Sequence, residues 1–299
     1  MVSNMTALRE MLKVTTAALK LGGHRMKDIV SHKSRSFSSG TLGSEGTRAL
    51  RDTYKNKFLP RNYADEYGRY IGETVSPELE TLHNIFQSGL VQGNTLLDLG
   101  SGPLVTNVLV GSSRCNHIVM SDLVEANRLE LMKWLNKDED ALDWTFRAEK
   151  VAVVEGYTDL RKGALEIIER TRLAVRKVIP CDVLEPGVLP EEHRQTFDVI
   201  ISSGCLESAT ADHESFRKAV CNVGTLARPG GLLVLLGAGG IKSYPVGDVD
   251  FAHANLTEKV VEEAIKDAGF QMEVYHAHRV GEFVENPNVF TFVLTASKA

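Results

Sequence analysis

The sequence predicts a doubly wound α/β fold whose mostly parallel seven-stranded sheet ends in a C-terminal antiparallel hairpin. Three observations predict it. From about residue 94 short β-branched runs alternate with amphipathic helical stretches, the pattern of βαβ units. The first of these runs enters a glycine-rich turn, Gly100, Ser101, Gly102, with a helical stretch beyond it. The last two runs are joined by a loop too short and too polar for a crossover helix, so they must pair antiparallel.

In chain order, strands are expected at Thr95 to Leu99, His117 to Ser121, Val178 to Cys181, Phe197 to Ser202, Leu232 to Leu236, Phe270 to His276 and Asn288 to Ala296. Between them Glu125 to Leu135, Gly163 to Arg176, His213 to Leu226 and Glu258 to Ala268 carry apolar residues at helical spacing. Gly269 is placed to cap the last helix. No internal repeat is visible.

A chain of 299 residues with 43% hydrophobic and 24% charged residues can bury one large core. Its net charge of -5 argues against a nucleic-acid partner, because neutralising phosphates requires a basic face. No apolar run is long enough to span a membrane. Cys115, Cys181, Cys205 and Cys221 form neither a CxxC pair nor a disulfide framework, which fits free thiols in a reducing compartment and no metal. A cytoplasmic monomer is expected.

Residues 1–46 differ in composition. Arg9, Lys13, Lys20, Arg25, Lys27, Lys33 and Arg35 outnumber Glu10 and Asp28, and SHKSRSFSSGTLGS reads as a flexible linker. With an amphipathic start around Leu8, Leu12, Ala17 and Leu21, the segment is either a surface helix with a loose linker or a mitochondrial transit peptide. Residues 47–299 are expected to form the catalytic domain.

The chemistry is concentrated at strand ends. A glycine turn lets backbone approach a ligand closely, but such a turn serves a dinucleotide as well as S-adenosylmethionine. Val105 stands where a dinucleotide fold wants its third glycine, which disfavours a nicotinamide cofactor. Asp122 ends the second strand about twenty residues past the turn, where a carboxylate can accept ribose hydroxyls. Asp182 follows the third strand beside Val183, an arrangement suited to an adenine amino group and ring. A single strand-end acid could merely cap a helix; acids at three successive strand ends, Asp98, Asp122 and Asp182, point to a ligand.

The stretches FLPRNYADEY, LLDLGSGPLVTNVL, VMSDLVEANRLEL, IPCDV, ISSGCLESA and LARPGGLLVLLGA, in this order, resemble the nicotinamide, phenylethanolamine and indolethylamine N-methyltransferase family. The resemblance spans roughly residues 50 to 298. It implies a Rossmann-like domain that binds S-adenosyl-L-methionine and methylates the nitrogen of a small-molecule amine. It also implies that an aromatic segment with Tyr54 and Tyr63 folds over the cofactor, where tyrosine faces attract a sulfonium cation. Gly100, Ser101, Gly102 and Thr106 would line the amino-acid end, Asp122 and Asn127 the ribose, Asp182 and Val183 the adenine, and Ser203 the passage towards the acceptor. Tyr67 and Tyr244 would wall the acceptor, and Glu207 would stand beside it as the catalytic acid or base.

The sequence departs from the family pattern at Gly68 and Thr106, where tyrosine is usual, and Tyr67 or Tyr70 could compensate for the former. It departs again at Gly237, where nicotinamide-methylating members carry an aspartate, so nicotinamide is a poor acceptor candidate. Two other readings stay open: an NAD(P)-dependent oxidoreductase, although no Tyr/Lys catalytic pair is recognisable, and a cofactor-binding homologue without turnover.

Overall fold

The computed structural model of the protein describes residues 43–68, 75–279 and 288–299. Most of the predicted N-terminal extension, and Tyr70, lie outside the described residues. The chain enters with α1 (Gly43–Lys57), so the last four positions of the expected extension belong to a helix, and continues into α2 (Pro60–Tyr63) and a π-helical turn over Ala64–Gly68. Helix α3 (Pro77–Gln87) follows, started by the Ser76 hydroxyl accepting the Leu79 N–H and by proline in its first turn.

The doubly wound part comprises β1 (Thr95–Leu99), α4 (Thr106–Gly111), β2 (His117–Asp122), α5 (Glu125–Asn136), α6 (Thr145–Val154), α7 (Leu160–Ala174), β3 (Val175–Pro180) and β4 (Phe197–Ser203). It continues through α8 (His213–Gly224), β5 (Ala227–Gly239), the hairpin β6 (Ser243–Val246) and β7 (Val249–Ala252), α9 (Glu258–Asp267), β8 (Phe270–Arg279) and β9 (Phe290–Lys298). The main sheet runs β3-β2-β1-β4-β5-β9-β8. The first five strands are parallel, while β9 pairs antiparallel with both β5 and β8. The order reverses between β1 and β4, and the crevice beyond their C-terminal ends is where such sheets bind ligands.

The central strands are apolar because both faces are covered. Leu96, Ile118, Met120, Val199, Ile201 and Val234 pack with α3, α4, α6 and α7 on one face. Leu97, Leu99, Val119, Ile200, Leu233 and Leu294 pack with α8 and α9 on the other. A third cluster, Leu50, Tyr54, Phe58, Val124, Val246 and Phe251, seats α1 on the β6–β7 hairpin.

All seven predicted strands occur, and Gly269 caps α9 with its N–H on the Lys266 carbonyl. The expected helix Gly163 to Arg176 ends instead at Ala174, and Arg176 and Lys177 lie in β3. That strand is the sheet edge, where exposed charge is tolerated and discourages edge pairing. Helix α6 and the β6–β7 hairpin were not expected. Among the described residues no helix is long and apolar enough to cross a membrane.

Candidate active site

The turn after β1 is set by glycine for two physical reasons. Gly100 has φ +69°, and a Cβ built there would lie 2.1 Å from the Cys205 sulfur. Only glycine allows the turn after β4 to come so close to the turn after β1. The Gly100 and Ser101 N–H groups both donate to the Ser121 carbonyl at 2.9 Å, which ties the turn to β2.

Asp122, at the end of β2, braces this turn. Its Oδ2 accepts the Gly102 N–H at 2.8 Å, and its Oδ1 accepts the Val124 N–H at 2.8 Å and Asn127 Nδ2 at 3.0 Å. A carboxylate offers about four acceptor sites, so one remains on Oδ2. Burial pushes the Asp122 pKa up against the pull of these donors. Asp98 is buried too; burial raises its pKa to about 6, although Asn107 Nδ2 donates to Oδ1 at 2.9 Å. Asp98 Oδ2 and Asn127 Oδ1 are buried without a hydrogen-bond partner among the described residues. Asp182, after β3, accepts Arg51 Nη1 on Oδ2 at 3.2 Å and the Leu184 N–H on Oδ1 at 3.1 Å. Arg51 also reaches Glu185 at 2.9 Å.

Helix α1 lies across the sheet end. Thr47 donates to Asp212 at 3.1 Å, Arg51 latches onto Asp182, and the Tyr54 and Tyr244 hydroxyls share a 2.6 Å hydrogen bond. Tyr54 packs on Phe251 with ring centroids 4.4 Å apart, Phe58 on Tyr63 at 5.3 Å, and Tyr63 on Tyr67 at 5.1 Å. The Tyr67 hydroxyl donates to the Pro245 carbonyl at 2.6 Å, which commits it to the hairpin. Burial raises the pKa of Tyr63 to about 12 and drives those of Tyr54 and Tyr244 upwards, so all three rings stay neutral.

These elements enclose a cavity of about 400 Å³, a usual size for a small-molecule site. Tyr54, Tyr63, Tyr67, Gly100, Ser101, Gly102, Thr106, Asp122, Asn127, Asp182, Val183, Ser203 and Tyr244 all line it. Sequence reasoning missed Arg51, Glu78, Leu79, Leu82, Leu104, Arg147, Cys205 and Ser208 in the same wall. Their signals were weak: leucines at helical spacing read as core, and arginines on helices read as solvated.

Glu207 is not part of that wall. It is 3% exposed and lies beside Cys205, Ser208 and Leu236, which do line the cavity. Its Oε1 accepts the Ala238 N–H at 3.0 Å, and burial pushes its carboxyl up to about 7. Gly237 explains the arrangement: a Cβ there would meet Glu207 Oε1 at 2.5 Å and the Phe292 ring at 2.7 Å. The glycine-rich end of β5 therefore leaves no gap, because Glu207 and the β9 phenylalanines fill the space beside Gly237 and Gly239. Nearby, His253 has its pKa lowered to about 4 by burial and faces Tyr244 edge to face at 6.4 Å.

The comparisons with known proteins bear on the family and the fold. The indolethylamine N-methyltransferase of Oryctolagus cuniculus is 35% identical over 233 residues, covering 74% of this chain and 86% of the relative. The human nicotinamide N-methyltransferase is 34% identical over 230 residues, covering 75% and 86%. The human phenylethanolamine N-methyltransferase is 31% identical over 254 residues, covering 81% and 89%. The crystal structure of Burkholderia thailandensis 1,6-didemethyltoxoflavin-N1-methyltransferase, with bound 1,6-didemethyltoxoflavin and S-adenosylhomocysteine, shares the fold. It superposes with a TM-score of 0.52 at 17% identity over 89% of this chain and 93% of the other. The profile of the NNMT/PNMT/TEMT family matches residues 46–299, and the chain belongs to that family.

Proposed function

We propose that the protein transfers the methyl group of S-adenosylmethionine to the nitrogen of a small-molecule amine. The observation that carries this is a single cavity joining strand-end acids at one end to an aromatic cluster at the other. Residues 47–299 are the catalytic unit on this reading, and residues 1–46 an extension of it.

The residues present suit the ligand. Asn127 Oδ1, in the cavity wall, is a buried acceptor that lacks a donor, and a ligand rich in hydroxyl groups supplies one, whereas Asp98 lies behind the wall. Asp122 has one acceptor site left on Oδ2, enough for one ribose hydroxyl; a second requires the Asn127 amide to yield. Asp182 keeps spare lone pairs for an adenine amino group beside the apolar Val183. The Tyr63 ring lies beside the glycine turn, with Cε1 4.0 Å from where a Gly102 Cβ would sit, near enough for an aromatic ring to attract a cation held at the turn.

Bound S-adenosylmethionine supplies an electrophilic methyl on sulfur, so the chain's own work is to orient, desolvate and manage one proton. Tyr54, Tyr67 and Tyr244 hold one another through hydrogen bonds and ring contacts and exclude water from the acceptor end. Glu207, the acid buried beside this end, attracts the acceptor's ammonium and receives its proton. Gly237 in place of an acid leaves Glu207 as the only carboxylate at the end of β5 among the described residues, which suits an amine better than a carboxamide.

A screen of small aromatic and aliphatic amines with methyl-labelled S-adenosylmethionine tests the proposal. Labelled N-methyl product from at least one amine, and less from nicotinamide, is expected. Label found only on protein or nucleic acid would refute it.

A further inference from the structure

Of the two arginines in the cavity wall among the described residues, Arg51 is neutralised by Asp182 and Glu185. Arg147, from α6, is different. Its Nε donates to the Gly68 carbonyl at 2.9 Å, and its Nη2 donates to the Gly68 and Tyr67 carbonyls. Its Nη1 makes no hydrogen bond with any described residue, and no described carboxylate lies within ion-pair distance of it. Glu78, in the same wall, attracts it only at longer range. Burial lowers its pKa to about 10, the mark of a cation short of compensation. A desolvated guanidinium without a counter-charge is costly, and one that opens onto a ligand cavity finds its anion in the ligand.

The location identifies which anion. Arg147 holds the Gly68 carbonyl, and Gly68 packs on Leu104 and Trp144, at the start of α4 beyond the glycine turn. A Cβ on Gly68 would meet Trp144 at 2.8 Å and Leu104 at 3.0 Å, so no side chain reaches the cavity from position 68. Thr106 is short, and the Tyr67 hydroxyl is committed to Pro245. The polar side chain of longest reach at this end is then Arg147.

Building on the reading above, we propose that Arg147 receives the α-carboxylate of the methionyl group of S-adenosylmethionine through its free Nη1, at the end of the cavity where Gly68 and Thr106 bring no long polar side chain. The carboxylate completes the charge balance of the half-buried arginine, and the bond fixes the sulfonium relative to the Tyr63 ring.

The test is calorimetric titration of the full chain with three ligands: S-adenosylhomocysteine, its decarboxylated form, and methylthioadenosine, which lacks the whole amino-acid group. Removing the ligand's carboxylate should weaken binding to the wild type by about 10- to 100-fold, the usual scale of a charged hydrogen bond. Arg147→Met should lose the same factor for S-adenosylhomocysteine and almost nothing for the other two. Arg147→Lys, which keeps a point charge, should fall between. Equal wild-type affinity for the two homocysteine ligands would overturn the assignment, and that comparison needs no variant to fold. Equal losses for all three ligands in Arg147→Met would reduce Arg147 to a structural clamp on Gly68. A wild type that binds none of the three would instead remove the parent reading.

Discussion

Glu207→Gln is expected to lower kcat/KM for the acceptor amine by about 10²–10⁴, the usual worth of general acid-base assistance, with little change in S-adenosylhomocysteine affinity. The glutamine keeps the acceptor for the Ala238 N–H and the volume beside Gly237, so the fold of the site survives. What it loses is the charge that attracts an ammonium and the base that accepts its proton. Because burial holds the Glu207 carboxyl at about 7, the free enzyme gains its base only as pH rises through neutrality. The wild-type rate should therefore climb through pH 7, and the variant should lack that limb. The deficit should be greatest between that point and the amine's own pKa, then shrink as neutral amine becomes abundant. Undiminished methylation by the variant at neutral pH would leave Glu207 as a plug beneath the sheet end.

The same carboxyl leaves a trace in stability. Its native pKa lies above its unfolded value, so the native state holds the proton more tightly. Below pH 4.5 both states are protonated and nothing is lost; stability then falls as pH rises towards 7 and stays reduced above it. The penalty is on the order of 3 kcal/mol. Thermal melts of Glu207→Gln relative to wild type should diverge over that interval, in the variant's favour.

Asp122→Ala is expected to weaken S-adenosylhomocysteine binding by about 1–3 kcal/mol, through loss of a charge-assisted hydrogen bond and of the brace on the glycine turn. The second contribution is visible in the structure, since Gly102 N–H, Val124 N–H and Asn127 all donate to this one carboxylate. Asp122→Asn separates the two. It keeps acceptors for part of the brace but lacks the charge, and should lose less than the alanine. Calorimetry that finds the alanine variant as tight as wild type would remove Asp122 from the ribose site.

The sheet was legible because parallel strands covered on both faces are written as nearly continuous apolar runs, as in TLLDL and FDVIISS. The glycine turn was legible because backbone geometry requires glycine there, and Asp122 and Asp182 because they stand at the ends of β2 and β3, at the end of the sheet where the cavity lies. The β6–β7 hairpin was not, because each strand is four residues long and Pro245 lies inside the first. The relation of Glu207 to Gly237 depends on Gly237 pairing with Phe292 across β5 and β9, a register that no local pattern encodes. Arg147 stayed hidden for a similar reason: its neighbours Gly68 and Tyr67 are about eighty residues away in sequence.

The most direct test of the account is titration of the wild-type chain with S-adenosylhomocysteine and, separately, with NAD. The acids and tyrosines of the cavity predict micromolar-class binding of the first, near -8 kcal/mol, and none of the second, because Val105 stands where a pyrophosphate site needs glycine. Tight NAD binding, or no binding of S-adenosylhomocysteine, would contradict it.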